Sequence, residues 1–192
     1  MEDIETGTMS FLTEPLKKCV TVSGKSYAMN TDFKVWLEIQ RLVTEDEGDL
    51  EKVTKAIILC YKGGVLPPSF FEAAGAMWDF LAGDEPNKKG EAGRKTKKIF
   101  DFTQDAELIY SSFLYDYGID LESTPMHWHK FLALFKNLSA ESPFMRVARL
   151  RATDLSEIKD ANLKKEIRRR QRFFALEGSE AEEFEENLAL LM

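Results

Sequence analysis

Apolar residues recur at three- and four-residue steps along most of the chain, interrupted by short runs of Gly, Pro and charge. That spacing predicts amphipathic helices, because it follows the 3.6-residue turn. The exceptions come first. Residues 1–18 carry little periodicity and read as a flexible N-terminus. Cys19-Val20-Thr21-Val22 and Lys25-Ser26-Tyr27-Ala28 are two short β-prone runs joined by Ser23-Gly24, which is the signature of a hairpin. Two strands alone are marginal in water, so this hairpin has to lie on helices.

The helical pattern starts after Asn30-Thr31-Asp32, with Asn30 or Thr31 as N-cap and Phe33, Trp36, Leu37, Leu42 and Val43 as the apolar face. The polar break TEDEGD separates it from a second helix carrying Leu50, Val53, Ile57 and Cys60. GGVLPP stops that helix, since Gly and Pro cannot continue it. Ser69 caps a third, with Phe70, Ala74, Met77, Trp78 and Leu81 on one side. Residues 82–98 are Gly-, Pro- and Lys-rich and form the clearest loop. Thr103 caps the next helix, striped by Ala106, Ile109, Tyr110, Phe113, Leu114 and Tyr117 and ended by Gly118. Thr124-Pro125 starts a fifth helix bearing Trp128, Phe131, Leu132, Phe135 and Leu138. Ser142-Pro143 starts a sixth through Phe144, Val147 and Leu150. A charged seventh runs from about Asp160 to Leu176. The expected fold is mainly α: a single-domain helical bundle of about six to seven helices with a small N-terminal β-hairpin, spanning 19–176. An acidic C-terminal tail or helix follows over 177–192, where Phe184, Leu188 and Leu191 give one thin apolar stripe.

Composition narrows the function. The chain is 44% hydrophobic and 31% charged, enough for a core and a wetted surface, with a net charge of -7. Acidity argues against nucleic acid as the main partner, because phosphate neutralisation drives that affinity. No run of about 18 apolar residues predicts a membrane span. The acidic start is not a secretory signal. Two cysteines are too few for a disulfide framework, which places the chain in a reducing cytoplasm.

Candidate chemistry fails residue by residue. Gly24-Lys25-Ser26 resembles the end of a phosphate-binding loop, but Cys19 stands where the first Gly is needed. His127 and His129 at i and i+2 on a helix would point about 200° apart, so they cannot easily share a metal. No nucleophile has a local signature. Neither a catalytic residue nor a cofactor or metal site is therefore expected. Two basic clusters remain: Lys88, Lys89, Arg94, Lys95, Lys97 and Lys98 in the long loop, and Arg168, Arg169, Arg170 and Arg172 on the late helix. The first lacks the aromatics that stack on bases. The second is followed at once by six acids between Glu177 and Glu186, so the tail or an acidic partner can neutralise it.

Residues 99–138 read IFDFTQDAELIYSSFLYDYGIDLESTPMHWHKFLALFKNL. Asp101, Phe102, Asp105, Ala106, Ile109, Tyr110, Phe113, Tyr117, Gly118, Ile119, Asp120 and Leu121, followed by His127, Trp128, Lys130, Phe131, Ala133, Leu134 and Leu138, stand in the order seen in the phage "gene product fifteen" family. Met126 and His129 depart from it, where Leu and Trp are usual. Residues 30–37 resemble the family's opening helix, and the likeness covers most of 26–176.

The resemblance implies a place in the tail gene clusters of phages and prophages, just ahead of the tape-measure gene. It implies a non-catalytic tail assembly chaperone, with the tape-measure protein and the tail-tube protein as partners and possible homo-oligomers. The alternatives are a minor structural component of the tail, and a nucleic-acid or host-factor binder using the 88–98 loop. A partner groove is expected between the Trp36 helix and the Phe70, Phe71 and Trp78 helix, with 82–98 as a flap. The neighbourhood of Tyr110, Tyr117, His127 and Trp128 is the alternative, and core packing is the plainer role for all of these side chains.

Overall fold

The computed structural model describes residues 13–44, 49–83 and 98–177. Most of the 82–98 loop, the centre of the TEDEGD break, the first 12 residues and the acidic tail from 178 lie outside them. The described residues are mainly α, with seven α-helices and one two-stranded hairpin. The chain divides into two compact units. One joins Met1–Ala92 to Pro125–Ala133, and the other joins Gly93–Thr124 to Leu134–Met192.

In the first unit, β1 (Cys19–Val22) and β2 (Lys25–Ala28) pair antiparallel as expected, with Cys19 opposite Ala28. Ser23 and Gly24 both have positive φ, which a tight two-residue hairpin turn demands. Helix α1 (Phe33–Thr44) buries Phe33, Trp36, Ile39 and Leu42. Its cap is Asp32, whose carboxylate accepts from the Lys34 N–H at 2.8 Å, and not Asn30 or Thr31. The backbone at 31–33 is held instead by a short antiparallel exchange: Phe33 N–H donates to Met126 O, and Trp128 N–H to Thr31 O. Helix α2 (Leu50–Cys60) is capped by Asp49 and buries Ala56, Ile57 and Cys60, while Leu50 is exposed. A short 3-10 turn (Lys62–Gly64) follows, in which Gly63 and Gly64 adopt positive φ and end the helical run. Helix α3 (Phe70–Ala82) starts at Ser69, whose hydroxyl accepts from Glu72 N–H.

Trp36 is the centre of this unit. It is fully buried, stacks on Phe80 at 4.7 Å and on Trp128 at 6.3 Å, and its indole donates to Asn30 O. Phe33 stacks on Phe131 at 4.9 Å. Rings offset at such distances add about 0.5–1.5 kcal/mol beyond their burial.

In the second unit, α4 (Ala106–Tyr117), α6 (Pro143–Ala152) and α7 (Ala161–Phe173) are joined by turns. Helix α5 (Trp128–Lys136) carries the division between the units within it. Thr103 does not cap α4. It lies in a turn where the Asp101 carboxylate accepts from Thr103 N–H at 2.8 Å and Gln104 N–H at 2.9 Å. Nor does Pro125 start α5, which begins three residues later because residues 126–128 are engaged with 31–33. Gly118, at φ 63°, ends α4 and donates to Leu114 O. Ser142 caps α6, and Asp160 caps α7. Ser112, buried on α4, accepts from Phe144 N–H at 2.9 Å and so fixes the start of α6. Phe100, Phe102, Phe135 and Phe144 pack as one cluster, with centroids 4.9–5.9 Å apart.

A buried ion pair completes this unit. Arg151 reaches both Asp105 oxygens at 2.7 and 2.8 Å. It also donates to Phe174 O at 2.6 Å and Ile99 O at 3.2 Å. One guanidinium thus ties the entry of α4, the segment at Ile99 and the exit of α7.

Candidate functional site

Helix α3 is apolar nearly all round: FFEAAGAMWDFLA. Such a helix can bury only one side, and the burial selects Ala73, Met77 and Phe80. The side predicted from spacing is therefore rotated. Trp78 is 46% exposed, Phe70 is 40% exposed and Phe71 is 86% exposed. Phe71, Gly75 and Trp78 fall at i, i+4 and i+7, on one stripe. A Cβ built on Gly75 would meet nothing within 4 Å, so the glycine leaves a gap between two aromatic side chains. Phe70 meets Phe71 edge to face at 6.1 Å, and Val65 and Leu66 are exposed just before the helix. A run of exposed large apolar side chains on one element marks a contact surface more than a solvated one.

The groove expected between the Trp36 helix and α3 is closed. Trp36 and Trp128 are 0% and 1% exposed, because the Trp36–Phe80 and Trp36–Trp128 stacks fill the space. The Trp128 indole donates to Leu81 O at 3.0 Å. Both tryptophans are core, as their plainer reading has it.

The two histidines are used structurally. His127 precedes α5, so the divergence expected on a helix does not apply, and its ring lies 5.2 Å from that of His129. The Nδ1 of His127 accepts from His129 N–H at 3.1 Å, and its Nε2 lies 2.9 Å from Lys17 O. The Nε2–H tautomer satisfies both. Burial lowers the pKa of His127 below the ordinary histidine value. The Nε2 of buried His129 sits 2.8 Å from Phe80 O. Beside His127 opens a shallow cleft of about 270 Å³, bordered by Asn30, Asp32, Lys62 and Met126. It is smaller than the usual small-molecule pocket of roughly 300–1,000 Å³. Among the described residues no group of three or more His, Cys, Asp or Glu can hold a metal ion. No helix among them is long and apolar enough to cross a membrane. Burial raises the Cys60 thiol to about 12, which keeps it protonated.

Tyr110 and Tyr117 belong to the second unit. Tyr110 is partly exposed and reaches Asp120 Oδ1 at 3.2 Å. Tyr117 is spent on structure, its hydroxyl lying 2.9 Å from the carbonyls of Leu134 and Asn137. The predicted stripe on α4 is split: Ile109 and Phe113 are buried, while Tyr110 and Leu114 are exposed.

No curated protein and no solved structure matches the chain. One family model does, described as Bacteriophage Gp15 protein, over residues 12–176. That match takes in every described element from the hairpin to α7. The chain belongs to the Bacteriophage Gp15 protein family.

Proposed function

We propose that this phage protein is a non-catalytic tail assembly chaperone. It binds amphipathic helical segments of the tape-measure protein in the host cytoplasm, keeps them from aggregating, and passes them to the tail-tube protein. The observation that carries this is the exposed Phe71–Gly75–Trp78 stripe on a helix whose other side is anchored in a core. Aromatics separated by a gap suit the anchor side chains of a partner helix. Burying Phe71 and Trp78 contributes about 1.5–3 kcal/mol each, enough for weak, reversible shielding. The identity of the partner rests on the likeness of residues 99–138 to proteins of tail gene clusters.

Co-expression with the tape-measure protein of the same phage tests the proposal. The tape measure is expected in the soluble fraction with the natural chain, and in the pellet with Phe71→Ser/Trp78→Ser. Equal solubility with and without this protein would refute chaperoning. Stoichiometric recovery from purified virions would instead make it a tail component.

A further inference from the structure

We infer that the chain's own acidic C-terminal segment, residues 178–192, docks on the exposed basic side of α7 and covers it. Helix α7 has no buried residue, although the chain on either side is held. Lys165, Arg168, Arg169 and Arg172 fall at i, i+3, i+4 and i+7, on one stripe facing solvent. Among the described residues Lys165, Arg168 and Arg169 form no ion pair, whereas Arg170 pairs with Glu166 at 2.7 Å. On the same side Phe173, four residues after Arg169, is 82% exposed. The surface is thus both positive and apolar, and asks for an occupant that is acidic with an apolar edge.

The following segment has that chemistry. Residues 161–173 hold six basic side chains and one acid, a charge of +5, and residues 177–192 hold six acids and no base, a charge of -6. Phe184, Leu188 and Leu191 supply apolar side chains at helical spacing. The segment also leaves from a fixed point. Phe174 O accepts from Arg151, Leu176 is buried, and Glu177 N–H donates to Gln104 Oε1 at 2.8 Å. Gly178 and Ser179 follow at once and permit a reversal. Helix α7, at 13 residues, is about 20 Å long. Fifteen residues reach up to about 50 Å when extended, so the segment spans the helix even when partly coiled. Being tethered, it meets the stripe at an effective concentration in the millimolar range that a free acidic partner has to exceed.

Amide hydrogen exchange over 161–173 tests this on three chains: the full chain, a chain ending at Glu177, and a full-length chain with Glu180, Glu182, Glu183, Glu185 and Glu186 each changed to Gln. Exchange in α7 is expected to be several-fold faster in the last two, with α1–α6 unchanged, and raising salt should bring the full chain toward them. Heparin is expected to bind the shortened chain at low salt and the full chain at least ten-fold more weakly. Equal α7 exchange in all three, or equal heparin binding, overturns the proposal. Protection that grows with protein concentration also overturns it, because the segment would then sit on a second copy. Unchanged exchange in α1–α6 separates loss of docking from loss of fold.

Discussion

Replacing Asp105 by Ala leaves Arg151 charged, 8% exposed and without its bidentate acceptor. The two lost hydrogen bonds, at 2.7 and 2.8 Å, are charge-assisted, and no solvent replaces them. Breaking a buried pair from one side costs about 3–5 kcal/mol, because an uncompensated charge remains. Arg151→Met exposes the opposite fault, a buried carboxylate left with the Asp101 N–H at 3.0 Å. It also frees Phe174 O and Ile99 O, so it is expected at the upper end of that range. The double variant Asp105→Leu/Arg151→Met removes both charges, and should cost clearly less than the sum of the two single losses. Urea unfolding followed by helical circular dichroism gives all three values, with an unchanged slope as the control. A loss under about 1 kcal/mol in either single variant, or strict additivity in the double one, would refute the reasoning.

Three further outcomes follow from individual positions. Gly118→Ala should destabilise by about 1 kcal/mol in the same assay, purely from backbone strain at φ 63°, since the added methyl meets nothing within 4 Å; no change would mean that the cap relaxes freely. Phe71→Ser should alter stability by less than about 0.5 kcal/mol, whereas Trp36→Ala should cost about 3–5 kcal/mol; the reverse order would invert the assignment of surface and core. Because burial lowers the pKa of His127, the unfolded chain takes up this proton first as pH falls past about 6.5. The contribution is present above that value and lost below it. His127→Asn should flatten the decline in urea midpoint between about pH 7.5 and pH 5.5, and an identical slope in both proteins would dismiss the histidine as its source.

What was readable in advance was local. Ser23-Gly24, Ser69, Gly118 and Ser142 act on the backbone within a few residues, and each lies where the sequence places its turn or helix end. The phase of the helices was less readable. In α3, apolar residues occupy both sides, so period alone could not choose Phe80 over Trp78. Pro125 looked like a helix start because Pro suits the first turn, but strand-like pairing with 31–33 claimed the next residues. Asp105 stands in the family pattern, but Arg151 lies 46 residues away, and nothing local to either names the other as its partner. Spacing also does not separate Phe70, Phe71 and Trp78, which are exposed, from Trp36, which is fully buried.

The first unit is written in two pieces, and this has a consequence for how it is made. Trp128 and Phe131 close the space around Trp36 and Phe33, yet they are translated after some thirty residues that belong to the other unit. A ribosome that has released only the first 92 residues has therefore released an open core, with Phe33, Trp36 and Phe80 lacking their lid. Synthesis order thus delays completion of the unit that carries the α3 stripe until residue 133 has emerged, and a fragment cut anywhere before that point inherits an unfinished interior.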